Sequence, residues 1–300
     1  MKSAPGRVVL VGATGYTGRV ALAELANYEL PVLVVGRDVS RLQSVLDEIG
    51  TPAHVAYGDA TATDPIPDLG PNDVVVSTVG PFSKIGFRIV DSVIAAGASY
   101  LDSTGEPPYI HDLFTSRSEA AKAQNATVVP AFGYDYAPGA AAGATVLNRA
   151  PSANALRLGY FLTNSAAEAI SFRKLKRVTT PATRESLVGV ANHPSFAFRA
   201  TSSPFGLSPE PSAHRLLHFT DEHNRDMRAI TVGGGEHFSI PEVFTQVESI
   251  DVGLGWLGGL TRPAHIGAAV LGTRLQSPPR TPNLRGHPNA HALEDFDAQS

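Results

Sequence analysis

The first 150 residues alternate between short apolar runs and helical patterns, and this alternation limits the chain to few folds. The apolar runs cover residues 7–12, 31–36, 53–59, 73–80, 99–102 and 127–133. The helical patterns between them cover residues 17–27, 39–50, 87–96 and 109–125. Apolar strands that alternate with helices are typical of a parallel sheet with helices on both faces. We therefore expect an α/β fold built on a doubly wound parallel sheet.

A glycine-rich turn lies between the first apolar run and the first helical pattern. The segment VGATGYTG places Gly12, Gly15 and Gly18 three residues apart. Such a turn lets the strand bend sharply, lets backbone N–H groups approach a pyrophosphate, and lets the helix pack close to the sheet. The strand before it and the helix after it make a Rossmann-type dinucleotide site more probable than a purely structural turn. The predicted contacts in this segment are Gly12, Ala13, Thr14, Gly15, Tyr16, Thr17 and Gly18.

The end of the second strand predicts which dinucleotide is bound. An enzyme that uses NAD usually has Asp or Glu there, whereas this sequence has Gly36 followed by Arg37. A guanidinium can bind a 2′-phosphate with two hydrogen bonds, so Arg37 favours NADP; the alternative is an ordinary surface charge. Asp38 is interpreted as the cap of the next helix. Asp59, at the end of the third strand, completes the predicted contacts in this region.

Beyond residue 150 the pattern changes. Residues 154–164 alternate apolar and polar side chains, as a half-exposed antiparallel strand does, and residues 230–241 and 242–256 also resemble strands. We expect an NADP-binding Rossmann domain of residues 1–150 and an α+β domain of residues 151–276 for substrate binding or dimerisation. Residues 277–300 are rich in Pro, Asn and His, and are predicted to be a disordered or loosely attached tail.

Polar segments follow three successive strands, at the edge of the sheet where ligands bind in such folds. The segment STVGPF ends the fourth strand, YLDSTGE ends the fifth and PAFGYDYAPG ends the sixth. We expect Phe82 to lean on the cofactor, and Asp102, Thr104 and Glu106 to point to where cofactor meets substrate. Asp102 has the alternative role of capping a helix, with Glu106 in the first turn. The predicted cofactor contacts here are Thr78, Val79, Gly80, Pro81, Phe82, Asp102, Thr104 and Gly105.

The loop after the sixth strand supplies further candidate catalytic residues. Tyr134 and Asp135 put a phenol and a carboxylate at the mouth of the site, where they can act as a proton donor and the group that orients it. With Glu106 they form the predicted catalytic set, and we expect Glu106 and Tyr134 to face one cavity beside the nicotinamide and to be at least partly accessible to solvent. In the alternative interpretation Asp135 caps the next helix and the tyrosines pack between domains. Glu236 and His237 are not interpreted as metal ligands, because neighbours on a strand point to opposite faces.

Composition excludes several classes of function. With 300 residues, of which 43% are hydrophobic and 17% charged, the chain can bury a core and is not disordered. Its net charge of −4, without a basic stripe, argues against nucleic acid as a partner. The absence of Cys excludes disulfides and thiolate zinc sites and fits the reducing cytoplasm, where we expect the protein. Neither a signal peptide nor an apolar run long enough to span a membrane is expected.

Several motifs together resemble those of the saccharopine dehydrogenase-like oxidoreductases. The matching stretches are VGATGYTGR, VGRDVSRL, STVGPFSKIG, GASYLDSTGEPPYI, AFGYDYAPG and VGGGEHFSIP. They cover residues 7–256, and the family includes mycobacterial-type trans-acting enoyl reductases. The resemblance implies an NADP-linked reductase more strongly than it implies any one substrate. Ala140 departs from it, because relatives often have a polar residue there, and the segment after Trp256 does not follow the family.

The expected function is therefore reduction of a C=N, C=O or activated C=C bond of a small-molecule or acyl substrate by NADPH. A non-catalytic NADP-binding sensor or scaffold is the alternative, because the same glycine turn serves both. A homodimer and a peripheral membrane contact stay open as further associations.

Overall fold

A computed structural model describes residues 6–134, 136–162, 193, 196–201, 206–210, 215–256 and 261. In chain order the elements are β1 Val8–Val11, α1 Tyr16–Leu25, β2 Val32–Gly36, α2 Val39–Ile49, β3 His54–Tyr57, β4 Val74–Ser77, α3 Phe82–Ala96, β5 Ser99–Asp102, α4 Pro107–Ser116, α5 Ser118–Ala123, β6 Thr127–Val129, α6 Ala137–Arg149, β7 Ala155–Tyr160, β8 Ala197–Thr201, β9 Gly206–Glu210, β10 Leu216–Thr220, β11 Asp226–Thr231, α7 Glu236–Val243 and β12 Ser249–Leu254.

The first six strands form one parallel sheet in the order β3-β2-β1-β4-β5-β6. The chain moves outward from β1 to β3 and then crosses back to β4, so the strand order reverses between β1 and β4. This is the order of dinucleotide-binding Rossmann folds, in which ligands bind beyond the strand ends at the reversal. The predicted α/β fold with a doubly wound parallel sheet, followed by a second sheet, is confirmed.

Successive residues of each central strand pack into two separate cores, because strand side chains alternate between the two faces of the sheet. On one face Leu10 and Val34 pack with Leu22 of α1 and Leu42 of α2. On the other face a larger core contains side chains of β1, β2, β4 and β5 together with those of α3 and α4. The strands are buried on both sides, which explains why they read in sequence as continuous apolar runs.

Local signals set the ends of α2 as predicted. The Asp38 side chain accepts a hydrogen bond from the backbone N–H of Arg41 at 2.9 Å, so it is the N-terminal cap. Gly50 ends the helix in the left-handed conformation at φ +76°. Two other helices differ from expectation. Helix α3 begins at Phe82 rather than residue 87, and the pattern over 109–125 divides into α4 and α5.

The second sheet has the strand order β10-β11-β12-β7, and β8 and β9 form a separate two-stranded sheet. Strands β10, β11 and β12 are antiparallel, but β7 pairs parallel to β12 over six residues. The antiparallel prediction for residues 154–164 is therefore wrong, although β7 does alternate between exposed and more buried residues. Residues of β7, β12, α6 and α7 form the core of this part of the chain.

The segment 230–241 is only partly a strand. Strand β11 ends at Thr231, and α7 begins after Gly235. Glu236 and His237 are therefore neighbours in the first turn of a helix, and both are buried. The prediction of a strand with these two side chains on opposite faces is wrong, because three consecutive glycines end the strand before them.

Some expectations concern residues that the structure does not describe, including the predicted tail at 277–300 and residues 163–192. Among the described residues, none of the helices combines the length and the apolar character needed to cross a membrane.

Helix α6 packs so closely on the second sheet that one of its glycines has no room for a side chain. A Cβ at Gly139 would overlap the Tyr160 hydroxyl and lie 2.6 Å from Oε1 of Glu236. Neither atom can move easily, because Tyr160 is hydrogen-bonded to both Glu236 and the backbone N–H of Tyr136. We predict that Gly139→Ala lowers the free energy of unfolding by about 1–3 kcal/mol in urea titrations.

Gly235→Ala is the matched control, because a Cβ there meets only Tyr136 Cβ at 3.9 Å and the backbone is helical. It should change stability by less than about 0.5 kcal/mol. Equal stabilities of the two variants would show that this contact between α6 and the second sheet is not tight.

Candidate functional site

The carboxyl ends of β1, β4 and β5 lie side by side, because Val11 pairs with Ser77 and Ser77 with Asp102 in the parallel register. The loops that follow these strands and β6 form one edge of the sheet, which we call the rim. It comprises residues 12–15, 78–81, 102–106, 130–134 and 136. Ligands of doubly wound sheets bind at this edge.

The glycine turn has the geometry that a dinucleotide site needs. Gly12 has φ +99°, and a Cβ at Gly18 would overlap the Gly12 carbonyl, so strand and helix pack directly together. Gly15 is the N-terminal cap residue of α1, and no side chain caps this helix. The first turn of α1 contains no acidic residue, so within the described residues the positive end of the helix dipole faces the rim uncapped.

The β4–α3 loop is fixed to this turn. The Thr78 backbone N–H donates to the Val11 carbonyl at 2.9 Å, and its hydroxyl lies within 3.3 Å of the carbonyl oxygens of both Val11 and Gly12. A Cβ at Gly12 would lie 2.6 Å from the Thr78 hydroxyl, so the two loops touch. Val79, Gly80 and Pro81 continue along the rim and are each partly buried.

Arg37 and Asp59 lie together at the ends of β2 and β3. Arg37 is exposed, and its charge contributes to a lowered pKa of Asp59, whose main cause is the hydrogen bond from the Thr61 backbone N–H. The Thr61 hydroxyl also donates to Asp59, at 2.8 Å. Since Asp38 is occupied as a helix cap, Arg37 is the charged group of the VVGRD segment that stays available to a ligand.

Asp102 connects β5 with the β6–α6 loop. Its Oδ1 accepts hydrogen bonds from the backbone N–H groups of Thr104 at 3.0 Å and Ala131 at 2.7 Å, and its carbonyl accepts one from Phe132. The residue is only 2% exposed. Burial raises the pKa of Asp102 to about 6, although these two backbone donors to the carboxylate act in the opposite direction.

Glu106 connects the segment after β5 with the start of α3. Its carboxylate accepts hydrogen bonds from the backbone N–H groups of Phe82 at 2.8 Å and Ser83 at 3.0 Å, the first two residues of α3. Its own N–H donates to the hydroxyl of Thr104, which is also buried. Glu106 is 1% exposed.

The accessibility expected of Glu106 is therefore wrong, and contacts of Asp102 and Thr104 with a cofactor remain a prediction. All three are buried. Oδ1 of Asp102, the hydroxyl of Thr104 and both carboxylate oxygens of Glu106 accept hydrogen bonds from backbone N–H groups. The Phe82 ring is also buried, and its centroid lies 5.7 Å from that of Tyr109 in the core, so it does not lean out over the rim. In the YLDSTGE segment the exposed residues are Ser103 and Gly105.

Tyr134 fits its prediction better. It is 52% exposed, and its hydroxyl donates to the Phe161 carbonyl at 3.1 Å. Asp135 lies outside the described residues.

The remaining predicted cofactor contacts differ in their exposure to solvent. Tyr16 and Thr17 are exposed, Thr14 and Gly36 are partly buried, and Ala13 is fully buried in the core beside α1.

A buried polar cluster beyond the rim was not predicted. Tyr160 donates to Glu236 at 2.5 Å and accepts from the N–H of Tyr136, whose hydroxyl donates to the Gly233 carbonyl. Tyr136 has φ +78°, which is rare for a residue with a side chain. The cluster joins the start of α6 to β7 and α7. In the sequence, only the GGGEHF segment pointed to this cluster. Its residues bind Tyr160 and Tyr136, which lie 76 and 97 residues earlier in the chain, so no local pattern connects them.

Comparisons with known proteins agree with this geometry. A Mycobacterium tuberculosis protein, provisionally named a trans-acting enoyl reductase, is 28% identical over 216 residues, which cover 70% of this chain and 51% of that protein. The trans-acting enoyl reductase of Mycobacterium leprae is 30% identical over 137 residues, 44% of this chain and 33% of that one. The resemblance to the saccharopine dehydrogenase-like oxidoreductases is confirmed.

A solved structure supports the fold. Saccharopine dehydrogenase (L-Glu forming) from Saccharomyces cerevisiae superimposes with a TM-score of 0.52 over 85% of this chain and 56% of that one, at 15% identity. A lipid droplet localized protein of Caenorhabditis elegans is 33% identical over 143 residues, 44% of this chain. No family model matches the chain. The chain spans about half of the length of the first of these relatives, and a third of the others.

The raised pKa of Asp102 predicts a specific pH dependence of stability. Between pH 4 and 6 the folded protein holds a proton on Asp102 that the unfolded chain releases, so the contribution of Asp102 to stability falls as the pH rises. An amide in place of this carboxyl group would carry no charge at any pH. We predict that Asp102→Asn becomes more stable relative to the wild type by about 2 kcal/mol between pH 4 and pH 7.

Urea unfolding of both proteins at the two pH values measures this difference. Asp47→Asn is the control, because Asp47 is exposed on α2, and its effect should change by less than about 0.5 kcal/mol. A constant difference between Asp102→Asn and wild type would mean that Asp102 is ionised throughout this range.

Proposed function

We propose that this chain is an NADP-dependent oxidoreductase that reduces a C=N, C=O or activated C=C bond of a small or acyl substrate. The observation that carries the proposal is the glycine turn at the strand-order reversal, where α1 presents its N-terminus to the rim with no side chain capping it. A pyrophosphate fits such a position, because backbone N–H groups and the helix dipole both favour an anion. The relatives named as enoyl reductases and the saccharopine dehydrogenase fold support the same class of reaction.

The residues of the rim suggest how the cofactor would be held. The backbone around Gly15 would hold the pyrophosphate, and the Arg37 guanidinium would hold the 2′-phosphate. The nicotinamide half would lie along residues 78–81. The cofactor supplies the hydride, and the protein orients it and protonates the product.

Tyr134 is the best candidate for the proton donor, because Glu106 is buried and bound to backbone N–H groups. Its exposed ring stands on the β6–α6 loop, and the Phe161 carbonyl holds its hydroxyl in place. A proton donor must come within hydrogen-bond reach of the reacting atom, and an exposed phenol is accessible to a substrate.

The alternative is a non-catalytic NADP-binding sensor or scaffold. One observation favours it: two of the acidic groups at the rim, Asp102 and Glu106, serve the structure of the loops rather than a substrate.

Cofactor choice tests the first part of the proposal. Arg37→Ala removes the charged group expected to bind the 2′-phosphate, so NADPH should bind about 10- to 100-fold more weakly. The affinity for NADH should change little. Fluorescence titration of each cofactor measures both constants. Arg88→Ala, an exposed charge on α3, is the control and should behave as the wild type. Equal wild-type affinities for NADPH and NADH would contradict the assignment of Arg37.

Turnover tests the second part. We expect oxidation of NADPH, followed at its absorbance band, with at least one member of a panel of enoyl thioesters, imines and ketones. Tyr134→Phe should then lower kcat while leaving the affinity for NADPH nearly intact, because its hydroxyl is not proposed to touch the cofactor phosphates. Tight NADPH binding with no turnover on the whole panel would favour the sensor or scaffold. Unchanged kcat in Tyr134→Phe would remove Tyr134 as the proton donor.

A further inference from the structure

Glu106 occupies an unusual position for a carboxylate near a dinucleotide site. It follows β5, yet it binds the first two backbone N–H groups of α3, a helix that begins 24 residues earlier in the chain. The N-terminal residue of α3 is preceded by Pro81, and no side chain of the helix itself caps it. Glu106 therefore supplies the cap from a neighbouring loop, where an anion also interacts favourably with the helix dipole.

This contact fixes one end of the segment 78–81. Residue 82 follows the segment directly, and the Pro81 carbonyl accepts hydrogen bonds from Lys84 and Ile85 in the first turn of α3. The other end is fixed by Thr78, which binds the carbonyls of Val11 and Gly12. The segment thus spans from the glycine turn to the Glu106 carboxylate, and its conformation depends on both attachments.

The charge of Glu106 also distinguishes α1 from α3, two of the helices that begin at the rim. At α3 the positive end of the dipole already has a buried carboxylate as its partner, so a second anion there would meet like charge. The first turn of α1 contains no acidic residue, and no side chain in the described part of the chain caps it. The phosphates of a dinucleotide are thereby directed to α1, and the uncharged nicotinamide half is left for the segment at α3.

We propose that Glu106 is a positioning residue, which holds the segment 78–81 in the conformation that receives the nicotinamide half of the cofactor. This inference rests on the proposed function, and it replaces the catalytic role expected for Glu106 from the sequence. Glu106 acts through the backbone of Phe82 and Ser83 rather than by touching the cofactor or the substrate.

The test compares two ligands that share the adenosine 2′-phosphate half. NADPH carries the nicotinamide, and adenosine 2′,5′-bisphosphate does not. In Glu106→Gln the side-chain amide can accept from only one of the two N–H groups, so the segment 78–81 should loosen. We expect NADPH to bind about tenfold more weakly to this variant, while adenosine 2′,5′-bisphosphate binds within about twofold of wild type. Glu119→Gln, on the exposed face of α5, is the matched control and should change neither constant.

Calorimetric titration of both ligands separates the outcomes. A selective loss of NADPH affinity supports the proposal. Equal losses for both ligands would overturn it in favour of a general structural role, and unchanged affinities would overturn it altogether. If the wild type bound neither ligand, the proposed function itself would fail. Should Glu106→Gln not fold, Glu106→Asp keeps the charge but shortens the reach to α3, and the same selective loss decides the question.

Discussion

Two buried carboxylates from one short segment hold the ends of three neighbouring strands together. Asp102 binds the backbone of the β6–α6 loop, and Glu106 binds the first turn of α3, which follows β4. Loops at the edge of a sheet are otherwise free to move independently, since little apolar surface fixes them. Here the segment after β5 links the start of α3 to the β6–α6 loop through hydrogen bonds to carboxyl groups. Hydrogen bonds to charged groups are among the stronger hydrogen bonds in proteins.

This arrangement leaves the rim with a defined electrostatic pattern. Helix α3 has its partner within the protein, and α1 faces the rim without one. The exposed Arg37 adds a cation at the far side, beyond β2. A ligand with a pyrophosphate, a second phosphate near its adenosine end and an uncharged reactive end matches this order of groups. The second sheet is attached close by, through Tyr136, Tyr160 and Glu236, so the loop that carries Tyr134 is held from both parts of the chain.

Features that depend on local sequence could be predicted, and those that depend on distant contacts could not. The glycine turn, the Asp38 cap and the Gly50 helix end follow from conformational preferences of a few neighbouring residues. The six strands of the parallel sheet could be predicted from their apolar runs. In contrast, the carboxylate of Glu106 finds its donors on a helix 24 residues earlier, and no local pattern shows that it turns inward. Acidic residues at a strand end look the same in sequence whether they face a ligand or a backbone.

The same reason explains the errors in the second half of the chain. The parallel direction of β7 is set by pairing with β12, more than 90 residues later. Residues 236–243 contain enough apolar and aromatic side chains to resemble a strand. However, the chain leaves the strand conformation before glycines 233–235, and the helix that follows, α7, packs its buried face against α6 and β12. The division at residue 150 and the state of the tail remain predictions.

A crystal structure of the protein with NADP⁺ tests the central claim most directly, because it shows where each phosphate lies. We expect the pyrophosphate at the N-terminus of α1 beside Gly15, the 2′-phosphate at the Arg37 guanidinium, and the nicotinamide along residues 78–81. The Glu106 carboxylate should still accept its hydrogen bonds from Phe82 and Ser83. A cofactor phosphate bound at the N-terminus of α3, with the Glu106 side chain displaced from it, would contradict the account.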